Sequence, residues 1–166
     1  IYQVVLSPNG TDLALHYSDG KESHFVYLPG GDAARMVEPV PTAYVGAAAW
    51  TADGQSLIFA ASGVKDDKGH IINGTYDIWR YDIANGTLTR IIASANDSEA
   101  NPIVTPDGKH LVYLAGPDSV GALGFAARNG IGKWMSRRDV RITPLDEFVP
   151  RTICTGMSPV ISPDGQ

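Results

Sequence analysis

Cysteine is almost missing from this 166-residue chain. The single Cys154 excludes an internal disulfide and any zinc site built from cysteine alone. No nucleophile signature surrounds it, so the expectation is a buried strand thiol. Long apolar runs are missing too: nothing approaches the ~20 residues that span a bilayer, so no transmembrane segment is expected. Positive charge is the minority sign, with 13 Lys and Arg against 18 Asp and Glu and a formal net charge of −5, which argues against a nucleic-acid partner. A starting methionine, a basic n-region and a signal-peptide core are also lacking. The chain opens inside the strand-like run "IYQVVL" and closes just after a turn, so it reads as a piece of something longer.

Catalytic signatures are equally scarce. "GMSPV" at 156–160 lacks the final glycine of a Gly-x-Ser-x-Gly elbow, and "NGIGK" at 129–133 is too short for a phosphate loop. "KDDKGH" at 65–70 holds Asp66, Asp67 and His70 but not the acidic ladder of a calcium loop, so a polar loop tip is expected. His16, His24 and His110 do not recur at equivalent places, which disfavours a histidine-bound metal on a symmetry axis. No catalytic residue, cofactor or metal is expected. Four Asn-x-Ser/Thr sequons, at Asn9, Asn73, Asn85 and Asn96, permit glycosylation in a secretory setting, although turn chemistry explains three of them equally well.

What the chain does have is punctuation. Its 18 glycines and 11 prolines divide a composition that is 43% hydrophobic and 19% charged into many short elements, which favours an all-β fold. One turn recurs: "SPNG" from Ser7, "TADG" from Thr51, "TPDG" from Thr105 and "SPDG" from Ser162, at spacings of 44, 54 and 57 residues. That is the length of four short strands with their loops, the period of propeller blades. Pro8, Pro106 and Pro163 preset φ, the following Asn or Asp bonds the local backbone, and the glycine takes positive φ. Thr51-Ala52-Asp53-Gly54 lacks the proline and is expected to be the least rigid copy.

Apolar runs flank each turn: "YQVVL", "VGAAAW", "NPIV" and "SPVI" before, and "LALHY", "LIFAA" and "LVYLA" after. They are continuous, as suits strands covered on both faces. Gly46, Ala47, Ala48 and Ala49 suit a narrow innermost strand, and Trp50 and Trp79 suit blade packing. The second half of a blade is clearest in "YDIWRYDIANGTLTRII" at 76–92, where Asn85-Gly86 marks the hairpin, and Asp77 and Asp82 are expected to bond within the blade. Aligning Asp139 with Asp77 puts Val140 on Ile78, Pro144 on Asp82 and Leu145 on Ile83. The first blade reads "SHFVYLPGGDAARMVEP", turning at Gly30-Gly31.

This pattern resembles the TolB-like β-propeller repeat, a Pro-Asp-containing relative of the WD-type repeat. The resemblance implies an all-β propeller fragment of about three four-stranded blades plus the start of a fourth. The blades fall at about 1–40, 41–94 and 95–154, with the next beginning at 155–166, all part of one propeller domain. Three blades do not close the usual ring, so the remaining blades are expected from the same longer chain or from oligomer copies. The resemblance further implies a non-catalytic scaffold for protein or peptide partners, in a bacterial periplasm or outside the cell. Its alternative is the access-gating propeller of a prolyl-oligopeptidase-like serine peptidase whose catalytic domain lies beyond this segment.

Two long connectors interrupt the repeat, 62–75 and 116–138, and long loops on a rigid scaffold carry binding. Segment 128–141 gathers Arg128, Lys133, Arg137, Arg138 and Arg141 around Trp134 against one acid, Asp139. Arg128, Lys133, Trp134, Arg137 and Arg138 are therefore the expected partner-binding residues, with tryptophan as anchor for an acidic peptide or another anion.

Overall fold

A computed structural model describes residues 2–18, 23–30, 44–64, 66, 68–72, 74–117 and 138–165. Among these, eleven strands form three antiparallel sheets, each in simple chain order. The first holds β1 (Gln3–Leu6), β2 (Leu13–Ser18) and β3 (Ser23–Leu28); the second holds β4 (Tyr44–Trp50), β5 (Ser56–Ser62), β6 (Asp77–Asp82) and β7 (Leu88–Ile92). The third holds β8 (Asp97–Val104), β9 (His110–Pro117), β10 (Asp139–Pro144) and β11 (Arg151–Thr155). These are successive blades of a β-propeller, with β4 lying between β1 and β8 as neighbouring inner strands do.

The continuous apolar runs are now explained. Leu57, Phe59 and Ala61 of β5 face the first sheet and join a core with Ala14, Phe25, Trp50 and Trp79, where Phe25 stacks on Phe59 at 5.2 Å. Ile58, one residue out of step, faces the third sheet and packs with Ile78, Leu111, Tyr113 and Ala115. Val112 and Leu114 point the other way again, towards Val140. A strand of this kind has no solvent face, so it shows no polar alternation.

The recurring turns are one structure built four times. Gly10, Gly54, Gly108 and Gly165 all have φ between 70° and 75°, and each donates its N–H to the carbonyl of the Ser or Thr that opens the turn. That opening hydroxyl works in two directions. Thr51 Oγ1 donates to Asp53 at 2.6 Å and accepts from the Ser56 N–H at 3.0 Å; Thr105 repeats this with Asp107 and His110. Hydrogen bonding to Thr51 and Thr105 lowers the pKa of Asp53 and Asp107 respectively. The copy without proline keeps the same bonds.

The turns also touch in series. A Cβ on Gly54 or Gly165 would stand 3.7 Å from Cδ of Pro8 or Pro106, the proline one turn back. In the copy lacking proline the approach is closer still: a Cβ on Gly108 would lie 2.8 Å from the Ala52 Cβ.

Register confirms the alignment of the outer halves: Asp77 stands opposite Ala61 as Asp139 stands opposite Ala115. Phe148 takes the place of Gly86, donating to Pro144 as Gly86 donates to Asp82, and has φ of 50°. Asp82 does bond locally, its carboxylate accepting from the Ala84 and Asn85 N–H groups. Cys154 departs from expectation: it is on a strand, β11, but exposed, because every residue of this outer strand is open to solvent.

Candidate functional site

Strand direction reverses at every step of a meander, so the two ends of the propeller segment differ in character. The repeated turns occupy one end. The long connectors, β5–β6 and β9–β10, and the β7–β8 link leave from the other. Among the described residues, the candidate Arg138 stands at this connector face.

The β5–β6 connector is held by its own backbone. The Ile72 N–H donates to the Val64 carbonyl at 2.8 Å, and the Asp66 carboxylate accepts from the Lys68 and His70 N–H groups at 2.9 and 2.8 Å. These bonds lower the pKa of Asp66, the His70 backbone contact most of all. Asp66 therefore shapes the loop tip, as a polar tip requires; Asp67 lies outside the described residues. The folded tip leaves Ile71 63% and Ile72 46% exposed. Sequence reasoning passed over this pair, because "HII" reads as an ordinary apolar step until its loop is seen to turn outward.

Of the residues expected to meet a partner, Arg128, Lys133, Trp134 and Arg137 lie outside the described residues. Arg138 is described and only 1% exposed. Its guanidinium donates to the Ser98 carbonyl at 2.5 Å and the Gly116 carbonyl at 2.8 Å. It thus ties the root of the long connector to β8 and β9, an internal anchoring task. Sequence composition grouped it with its basic neighbours because nothing in the chain marks which arginine turns inward.

Ser98 is a shared node. Its hydroxyl accepts from the Tyr76 N–H at 3.0 Å, while the next residue, Glu99, donates its N–H to the Tyr76 carbonyl at 2.6 Å. The second and third sheets are joined here by backbone. Around the seam lie matched charges: Asp77, fully buried, pairs with Arg90 at 2.8 Å, and Arg141 reaches Asp97 at 2.8 Å and Asp139 at 3.4 Å. Glu99 is fully buried too, with Ser94 donating to one carboxylate oxygen. Burial pushes its pKa from 4.5 to about 7, reinforced by Asp77 and Asp97 and opposed by Ser94 and Arg141.

Nearer the axis, the inner strands line a groove of about 380 Å³ between Gln3, Ala48, Asn101 and Val104. The two seams here differ in chemistry. The Gln3 side chain accepts from the Ala48 N–H at 2.9 Å and donates to its carbonyl at 3.2 Å, next to the bulge in β4. One blade on, the corresponding positions are Ala47 and Pro102: the side-chain acceptor is gone, and so is the N–H that needed it. Trp50 adds a further bond across the first seam, Nε1 to the Val5 carbonyl at 3.1 Å.

No family model matches the chain, and no curated protein matches it. Solved structures do. TolB from Acinetobacter baumannii superposes with a TM-score of 0.68 at 21% identity, over 98% of this chain and 35% of that one. Prolyl oligopeptidase B from Galerina marginata gives 0.59 at 11% identity, over 95% of this chain and 23% of that one. Tricorn protease gives 0.58 at 14%, over 94% and 15%. These likenesses establish a TolB-like β-propeller fold. The chain spans about a third of the TolB structure and less than a quarter of either protease.

Proposed function

We propose that this segment, a run of blades in a TolB-like β-propeller, is a non-catalytic scaffold that binds a protein or peptide partner on its connector face. The observation that carries the reading is the pair Ile71 and Ile72, two large apolar side chains set out in solvent on a loop whose backbone is tied down. Apolar surface exposed on an ordered loop is available for burial against a partner at little ordering cost. Arg128, Lys133, Trp134 and Arg137, on the neighbouring connector, are proposed to add a cationic rim and an aromatic anchor for an acidic partner. A periplasmic or extracellular setting accompanies the proposal by resemblance to TolB-like repeats.

The test is affinity capture with the full-length protein, comparing wild type with I71S/I72S and with W134A/R137A. Arg138 is left intact because its loss would disturb the fold. Partner binding is expected to fall at least tenfold in each variant while the unfolding midpoint stays within a degree or two. Unchanged partners and affinities in both would remove the proposal.

A second reading keeps the segment as the access-gating propeller of a serine peptidase, favoured by the axial groove and by the likeness to prolyl oligopeptidase B. A serine-hydrolase domain elsewhere in the full-length chain, with peptidase activity lost on replacing its serine, would decide for it.

A further inference from the structure

Glu99 has a feature that a passive scaffold does not require. Its carboxylate is enclosed between the second and third sheets, and one oxygen, Oε2, has no hydrogen-bond partner among the described residues. The charged and titratable groups around it come from every adjoining element. From β6 comes Asp77, matched by Arg90 of β7; from β8 comes Asp97, matched by Arg141 of β10, which also reaches Asp139. From β9 comes the buried Tyr113 hydroxyl, which feels both Glu99 and Arg141. Arg138 is bonded to the Ser98 and Gly116 carbonyls. Arg90 and Arg141 are paired with aspartates and Arg138 with carbonyls, and among the described residues no ion pair joins Glu99, the fourth carboxylate here, to a cation.

The place of this carboxylate matters as much as its surroundings. The Glu99 N–H and the Ser98 hydroxyl make the two bonds that close the seam on Tyr76, and the Ser98 carbonyl holds Arg138 at the root of the long connector. We propose that Glu99 is a proton-operated latch: neutral, it allows the seam between β6 and β8 to close; ionised, it drives the seam open and loosens the anchorage of the connector face.

The direction with pH follows. Because burial raises the folded-state value to about 7 from 4.5, stability from this group is full below about pH 4.5, declines between 4.5 and 7, and is level above. Opening that returns Glu99 to water should become about thirtyfold more favourable between pH 5.5 and 8.5.

Two measurements test this without any partner. In the wild-type protein, ¹³C NMR of the Glu99 carboxyl is expected to titrate near neutrality; a midpoint below pH 5 would overturn the latch. Hydrogen exchange at the Tyr76 and Glu99 amides, corrected for intrinsic rates, should lose about thirtyfold in protection over that pH interval. E99Q, always neutral, should hold its protection constant. Equal pH dependence in E99Q and wild type would refute the proposal. If E99Q does not fold, the wild-type titration decides alone. Neither result bears on whether a partner binds, so the latch and the scaffold reading stand or fall separately.

Discussion

Replacing Gly108 by alanine isolates the contact between successive turns. Two costs are expected. The backbone at Gly108 has φ of 71°, where an L-residue loses about 1–2 kcal/mol. The new Cβ would also stand 2.8 Å from the Ala52 Cβ, an atom with no rotamer to escape into, so the turns must part, at about 1–3 kcal/mol. Gly10 provides the comparison: its φ is 75°, but a Cβ there meets nothing within 4 Å, so G10A carries only the backbone cost. Urea unfolding should therefore rank G108A below G10A by about 1–3 kcal/mol. A double-mutant cycle sharpens the test, since A52G removes the opposing Cβ and should recover that difference in the A52G/G108A protein. Equal losses in G108A and G10A, or no recovery with A52G, would show that the turns are not in register contact and would refute the stacked arrangement.

Two further substitutions probe the seams. Q3L leaves the Ala48 N–H without its acceptor and should cost about 1–3 kcal/mol in urea unfolding, whereas an unchanged midpoint would mean that the Gln3 bonds contribute nothing. D77N removes the partner of Arg90 while keeping shape; because Arg90 is partly exposed, a loss of about 1–2 kcal/mol is expected. The same variant should move the Glu99 titration downward, since Asp77 contributes to raising it, and an unmoved midpoint would contradict that coupling.

The blade pattern was readable because its turn imposes chemistry at fixed offsets. A hydroxyl, an Asn or Asp two residues on and a glycine at positive φ leave a local signature that needs no knowledge of neighbours. Strands covered on both faces were readable for the same reason, as unbroken apolar runs. Features that cross from blade to blade were not. Gln3 and Ala48 are 45 residues apart, and nothing local says that one answers the other, or that Pro102 stands where no answer is available. Glu99 sits in "NDSEANPIV", where nothing local marks it as buried; its N–H bonds to the Tyr76 carbonyl just before β6, 23 residues back. Arg138 is buried, which a basic cluster in sequence does not reveal, since it carries no sign of which member points inward. Cys154 was misjudged on the average behaviour of cysteine, whereas its strand is the outermost of its sheet.

The stacked corners at one rim divide labour along the length of every blade. Angular position is indexed where glycine meets proline or alanine, and the Tyr76–Ser98–Glu99 seam joins two sheets at the opposite rim, so the loops beyond that seam are released from the duty. Loops there can differ in length, as 62–75 and 116–138 do, without rotating the blades that carry them. Variation at that rim is thereby uncoupled from alignment, and a foreign segment grafted between Pro117 and Arg138 would inherit a fixed heading from corners it never touches.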